Sequence, residues 1–402
     1  MSDPKTEVVI LSAVRTPIAR FQGALAGIDA PKLGAVAIKA AVERAGIKNP
    51  ADIDEVFMGN VVPAGEGQAP ARQASIFAGL PDTVGATTVN KVCGSGMKAI
   101  IFGAQAIKAG DGQLFVGGGM ESMTRAPFLV GGRTGDLRYG HANLKDSLLH
   151  DGLWDPFEDW AMGNAADFIA DEYGITREEM DEFSAQSQQK AIAAIEAGKF
   201  KDEIVPVEVP GRKGAVTIFD TDEGPRAGTT AEGLAKLRPV FNKEGKTTAG
   251  NASTLNDGAA AVVVSSRAYA EANGIKPLAR IVAYGHAAVQ PKYLFAAPAK
   301  AMPKILSKAG WTLEDVGLIE LNEAFSAQCL ANGKELAEQG WDWDKVNVNG
   351  GGIALGHPIG TSGARVIATL IYALKDRGLK RGLASLCLGG GEAVAMAIEL
   401  EE

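Results

Sequence analysis

Apolar residues recur along this chain in two alternating rhythms. Short apolar runs at 8–14, 54–62, 113–119, 261–265, 318–321 and 383–388 have the length and composition of buried strands. Between them, residues 31–45, 65–79, 97–108 and 364–375 carry apolar positions at helical spacing, and Gly46 supplies the stop for the first. Strand and helix therefore alternate, as in an α/β sheet covered by helices on both faces. The rhythm breaks near residue 123 and resumes near 250. In between lie a glycine-rich loop at 131–135, an aromatic one at 153–157 and an acidic one at 220–226. A single long helix is predicted at 176–198, opened by a capping box of Thr176 and Glu179. Loop-rich insertions of this size commonly carry a binding site or an oligomer contact.

The second half of the chain echoes the first. Phe115-Val116-Gly117-Gly118-Gly119-Met120-Glu121 reappears as Cys387-Leu388-Gly389-Gly390-Gly391-Glu392. Gly94-Ser95-Gly96, opening one helix, reappears as Thr361-Ser362-Gly363 opening another. In both halves the helix start precedes the triple glycine, which favours a duplicated α/β unit over coincidence. A duplication would bring the two helix N-termini together across a pseudo-two-fold axis.

Composition narrows the setting. The 402 residues, 46% hydrophobic and 22% charged, suffice for two or three soluble domains with a large core. A net charge of −8 argues against non-specific binding of nucleic acid or anionic membranes, while leaving room for a local anion site. Three cysteines make neither a disulfide framework nor a zinc pattern, and no apolar run reaches the ~18 residues of a membrane span. Met1-Ser2-Asp3-Pro4-Lys5-Thr6-Glu7 has neither the apolar core of a signal peptide nor the arginines of a transit peptide, so a reducing, cytoplasmic setting is expected. No complete G-x-G-x-x-G between strand and helix, no Walker lysine and no G-x-S-x-G elbow is present, which argues against a nucleotide phosphate loop and a serine hydrolase.

The chemistry-bearing residues cluster at element ends. In Val92-Cys93-Gly94-Ser95-Gly96-Met97-Lys98-Ala99 a cysteine sits at a strand-to-helix junction. Its glycines suit a sharp bend or a close ligand, and a helix N-terminus would depress the thiol pKa. Cys93 is thus either a packed thiol or a nucleophile. His357, alone among four histidines, stands in a rigid loop, Gly356-His357-Pro358-Ile359-Gly360, where an oriented imidazole could accept the Cys93 proton. His141, His150 and His286 read as structural. Cys387 ends a strand where loops of the two halves should converge; it could be a core residue, half of a redox pair, or a soft acid/base acting on carbon. Asn322 and Glu323 follow strand 318–321, at the kind of strand end where α/β sites lie, and an asparagine there can help hold an oxyanion. Cys329 reads as core.

These blocks, with Asn322-Glu323-Ala324-Phe325, occur in the order of the four signature blocks of the thiolase family, which nearly the whole chain resembles. The resemblance implies a thiolase fold: two duplicated βαβαβαββ halves in a five-layered αβαβα arrangement with an inserted loop domain. The N-terminal half would span 1–122, completed by about 250–274. The loop domain, with coenzyme A binding and oligomer contacts, would span 123–249, and the C-terminal half 275–402. A homotetramer, built as a dimer of dimers, is implied, as are acyl-CoA partners without nucleic acid or membrane. Coenzyme A and acetyl-CoA would be substrates, with no resident cofactor or metal. Cys93 would carry the acyl group as a thioester. His357 would activate it and, with a water held by Asn322, stabilise an enolate oxygen, while Cys387 moves the α-carbon proton. Backbone N–H groups of Cys93 and Gly389 would form the oxyanion hole. Arg226 and Ser253 match positions that contact coenzyme A, and Leu153, Met162, Ala324 and Phe325 would wall the pantetheine channel.

The implied reaction is reversible Claisen condensation of two acetyl-CoA to acetoacetyl-CoA and coenzyme A. A thiolase for longer 3-oxoacyl chains is the alternative, and a non-catalytic acyl-CoA binding scaffold a further one. Two residues depart from the short-chain pattern. Ala161 stands where a histidine commonly precedes Met-Gly, and Gly233 replaces a serine of the coenzyme A loop. The missing histidine removes a polar contact and could admit a longer chain.

Overall fold

Nine strands form an unbroken path across the main sheet of the computed structural model, which describes residues 3–132, 137 and 139–401. They are β1 Val8–Arg15, β2 Glu55–Gly59, β3 Gly85–Val89, β4 Leu114–Ser122 and β5 Asn256–Ser266 in the first half of the fold. The second half holds β6 Ala279–Ala288, β7 Leu318–Leu321, β8 Arg381–Leu388 and β9 Glu392–Leu400. The spatial order is β7-β8-β9-β6-β1-β5-β4-β2-β3, with the short strand Ala19–Arg20 added beside β5.

Read from the middle outwards, that order is nearly a palindrome. β1, β5, β4 and β2 run outwards on one side, and β6, β9, β8 and β7 on the other. The pairing repeats too: β4–β2 and β8–β7 are parallel, while β1–β5–β4 and β6–β9–β8 are antiparallel. Even the parallel partner β3 of β2 has a remnant counterpart, a bridge from Val346 to Ile319 of β7. Within the sheet the two halves pair at Val9–Arg280 and Ile10–Ala279.

Among the described residues, the helices of eight residues or more are α1 Ala30–Arg44, α2 Pro70–Phe77, α3 Ser95–Ala109, α4 Met162–Glu172, α5 Arg177–Glu196, α6 Ala297–Ala309, α7 Ser326–Leu336 and α8 Ile359–Asp376. α3 and α8 form the middle of five layers, α1 and α2 one outer layer, α6 and α7 the other. Strand alternation builds the layers. In β1, Val9, Leu11 and Val14 face the α1 core, whereas Val8, Ile10 and Ala13 face the core shared with α3 and α8. A third core lies between α6 and β6, β8 and β9. Strands sandwiched in this way show continuous rather than alternating apolarity, which is the pattern of the sequence.

Several element limits differ from expectation. The strand expected at 54–62 ends at Gly59, and the helix expected from 65 begins at Pro70, a favoured first helical residue. α8 starts at Ile359, before the Thr361 echo. The first triple glycine lies inside β4, not beyond it, because other backbones press on all three positions. A Cβ on Gly119 would lie 2.0 Å from the Gly360 carbonyl oxygen, and one on Gly118 2.2 Å from that of Ala260. The second triple glycine is a turn between β8 and β9, with positive φ at Gly390 and Gly391. The echoed letters therefore serve different geometries. The capping box at Thr176 and Glu179 is present, opening α5. The loop expected at 131–135 lies partly outside the described residues, as Arg133 to Gly135 do. Among the described residues, no helix is long and apolar enough to cross a membrane.

Candidate active site

Cys93 sits on a strained elbow between β3 and α3. The strain is carried by Val92, whose φ of 46° is costly for a β-branched residue, and not by the neighbouring glycines. Local hydrogen bonds hold the bend: Ser95 Oγ donates to the Val92 carbonyl at 2.6 Å and accepts from Lys91 N at 2.8 Å. The expected reasons for Gly94 and Gly96 need correction, since neither has positive φ. A Cβ on Gly94 would meet Leu388 at 2.5 Å, and one on Gly96 would meet the backbone nitrogen of Ala364 at 2.8 Å. The glycines let the elbow dock on the β8–β9 turn and let the N-termini of α3 and α8 touch across the pseudo-dyad.

That docking brings the two halves' chemistry into one cavity of about 150 Å³. Cys93, His357, Cys387 and Gly389 line it, as do Leu153, Met162, Ser253, Ala324 and Phe325. Ala161 is also in its wall, together with Leu149 and Phe241, which sequence reasoning did not single out. Ser253 reaches the wall because its N–H donates to the Ala324 carbonyl, pairing the 251–253 loop with the start of α7. The rings of Phe295 and Phe325 pack at 5.2 Å behind it. Arg226 is not part of this lining: it is exposed, its backbone N–H held by Gln188 Oε1 of α5. Cys329 is buried in the core, as expected.

The resting site is neutral. The expected depression of the Cys93 thiol pKa does not hold: burial pushes it up to about 12, outweighing the N–H groups of Cys93 and Gly389 at the sulfur. Burial also pushes the His357 imidazole down to about 3, with the Arg365 charge adding to the effect. Cys387 is held well above the usual thiol range by burial and by Cys93. A neutral imidazole is a competent proton acceptor, and its tautomer follows from its neighbours. Ser362 Oγ donates to the Pro358 carbonyl at 2.9 Å and lies 2.6 Å from His357 Nδ1. With the hydroxyl donating to Pro358, Ser362 accepts from Nδ1–H, the tautomer that leaves Nε2 unprotonated.

Asn322 lies behind the imidazole rather than in the cavity lining. Its Nδ2 is 3.4 and 3.5 Å from the two ring nitrogens, and its backbone N–H donates to Ser385 of β8. Two further supports escaped sequence reasoning. Asn256 Oδ1 accepts from His357 N, and Glu121 accepts from Val61 N, Val62 N, Asn60 Nδ2 and Gly360 N. Burial raises the Glu121 pKa to about 8 against those donors. Glu121 and Arg365 had a legible signal: Glu121 is the one charge in a short strand rich in apolar residues and glycine, and Arg365 the one charge in the first four turns of a helix, and a buried charge demands a partner.

A duplicated five-layer fold thus brings two cysteines and an imidazole together in one cavity. The chain belongs to the thiolase family: residues 8–268 match the thiolase N-terminal domain and residues 275–400 the thiolase C-terminal domain. It is 56% identical over 392 residues to an acetyl-CoA acetyltransferase of Pseudomonas aeruginosa, covering 98% of this chain and 99% of that protein. One from Cupriavidus necator is 54% identical over 394 residues, with the same coverage. A crystal structure of the Bacillus anthracis acetyl-CoA acetyltransferase superposes with a TM-score of 0.95 at 45% identity, over 98% of this chain and 99% of that one.

Proposed function

We propose that this protein is an acetyl-CoA C-acetyltransferase, catalysing reversible Claisen condensation of two acetyl-CoA to acetoacetyl-CoA and coenzyme A through an acetyl-cysteine. The observation that carries the reading is the convergence of Cys93, His357 and Cys387 on one largely apolar cavity. The names of the relatives favour the two-carbon substrate.

In this reading His357 Nε2 takes the Cys93 proton as the sulfur attacks the thioester carbonyl. The N–H groups of Cys93 and Gly389 hold the oxyanion. Coenzyme A departs as a thiol with the Cys387 proton, leaving acetyl-Cys93 and the Cys387 thiolate. That thiolate removes the α-proton of a second acetyl-CoA, whose enolate oxygen is held by His357 and an Asn322-bound water. Attack of the carbanion on acetyl-Cys93 forms the carbon–carbon bond, and the leaving Cys93 sulfur recovers its proton from the imidazolium. Arg226 and Ser253 contact coenzyme A, and Leu153, Met162, Ala324 and Phe325 guide the pantetheine. The 123–249 segment acts as the loop domain, in a cytoplasmic homotetramer.

Intact-mass analysis after incubation with acetyl-CoA tests the core of the reading: an acetyl adduct is expected, absent in Cys93→Ala. Wild-type protein that never acquires the adduct during turnover contradicts catalysis. Thiolysis rates with acetoacetyl-CoA and a longer 3-oxoacyl-CoA test the chain length, and a strong preference for the longer substrate overturns the two-carbon assignment. Ala161 in the cavity wall makes that comparison pointed.

A further inference from the structure

α8 is buried along nearly its whole length, and Arg365 is its one charged residue before the final turn. The guanidinium is 1% exposed. One arm donates to Glu320 Oε2 at 3.0 Å, within β7. The second arm goes elsewhere, to Asn322 Oδ1 at 3.1 Å, just beyond the end of β7.

That second bond has a chemical consequence. A guanidinium carries only donors, so the amide atom it meets must be the oxygen. The amide nitrogen then faces away from Arg365, and this is the atom found against His357. A side-chain amide has two rotamers of similar shape, one with its donor towards the cavity side and one with its acceptor there. The fork of Arg365 selects the first.

We propose that Arg365 is a positioning residue for carbon–carbon bond formation, locking the Asn322 amide with its donor side turned to His357. The inference rests on the thiolase reading of the site. Arg365 touches neither thiol, and the Nδ1–H of His357 is held by Ser362 independently of it. Acylation of Cys93 should therefore survive its loss, while the step that needs the Asn322 donor should not. Lysine at this position keeps the charge but has a single ammonium in place of a two-armed planar fork, so it cannot serve Glu320 and Asn322 in the same geometry.

The test separates the two half-reactions: acetyl-Cys93 formation by rapid quench and intact mass, condensation by acetoacetyl-CoA release. Arg365→Lys is expected to acylate within about threefold of wild type and to lose about 10- to 100-fold in condensation, the range for one charge-assisted hydrogen bond. Glu320→Gln, which removes the ion pair and leaves the bond to Asn322, should lower the melting temperature yet preserve the ratio of condensation to acylation. Asn322→Asp keeps an acceptor for Arg365 and loses the donor, and adding Arg365→Lys to it should bring little further loss in condensation. A purely structural Arg365 would slow both half-reactions in parallel or add its full effect on top of Asn322→Asp, and either result overturns the proposal. Should Arg365→Lys not fold, Glu320→Gln decides: a ratio shifted tenfold refutes the assignment. Failure of the thiolase reading looks different, because wild-type protein itself would then neither acylate nor condense.

Discussion

Replacing Ser362 with alanine tests whether its hydroxyl sets the tautomer of His357. The hydroxyl lies 2.6 Å from Nδ1 and is fully buried, so no bulk water replaces it. In Ser362→Ala the Nδ1–H tautomer keeps a buried donor without its acceptor, at a cost of about 1–3 kcal/mol. The competing tautomer carries its proton on Nε2, where it blocks uptake of the Cys93 proton. Each 1.4 kcal/mol or so of tautomer bias removes tenfold of the competent form, so acylation should slow by roughly 5- to 100-fold. Binding should change little, because Ser362 is not part of the cavity lining. The assay is single-turnover acetylation of Cys93 across a range of acetyl-CoA concentrations, with the loss expected in the limiting rate rather than in half-saturation. A limiting rate within twofold of wild type would show that the Ser362 bond does not set the tautomer.

Three further outcomes follow from the geometry. Cys387→Ala should still form acetyl-Cys93 but lose condensation, and normal acetoacetyl-CoA release by that variant would refute its role as carbon base. Gly119→Ala sets a Cβ 2.0 Å from the Gly360 carbonyl, backbone against backbone, and should cost about 3 kcal/mol or more of stability by thermal denaturation; an unchanged melting temperature would contradict the contact. Because burial holds His357 near 3, the imidazole stays unprotonated as pH falls from 7 to 5, so the acylation rate should remain level over that range. A fall centred near 6.5 would mean that the ring keeps an ordinary proton affinity.

Periodicity marked six of the strands, because strands buried on both faces leave continuous apolar runs, but it passed over β6, β9, α4, α6 and α7. The duplication was legible as well, although its letters misled in detail. Gly117-Gly118-Gly119 and Gly389-Gly390-Gly391 read alike, yet one is a crowded strand and the other a turn, since a glycine records only that a Cβ is unwelcome. Side chains proposed as reactive stand out by rarity and by rigid context, as with His357 between Gly356 and Pro358. Their supports were harder, because Glu121 reaches Gly360 across 239 residues and Asn256 reaches His357 across 101, and the Ser362–His357 contact depends on how the turn into α8 folds.

The sequence by itself therefore determined the fold's alternation, its repeat and which cysteines and histidine line the cavity as candidates for thiol chemistry. Tertiary structure decided their state. Cys93 was expected to be an activated thiolate from its place before a helix, a local effect of aligned peptide dipoles. Packing of the two halves half-buries Cys93, and desolvation outweighs the N–H groups at the sulfur, so the thiol pKa rises to about 12. Hydrophobic pattern and capping act over a few residues and are written in order along the chain. Desolvation, tautomer choice and the locking of an amide by a distant guanidinium depend on which segments meet, and that is set only when α3 and α8 touch across the pseudo-dyad.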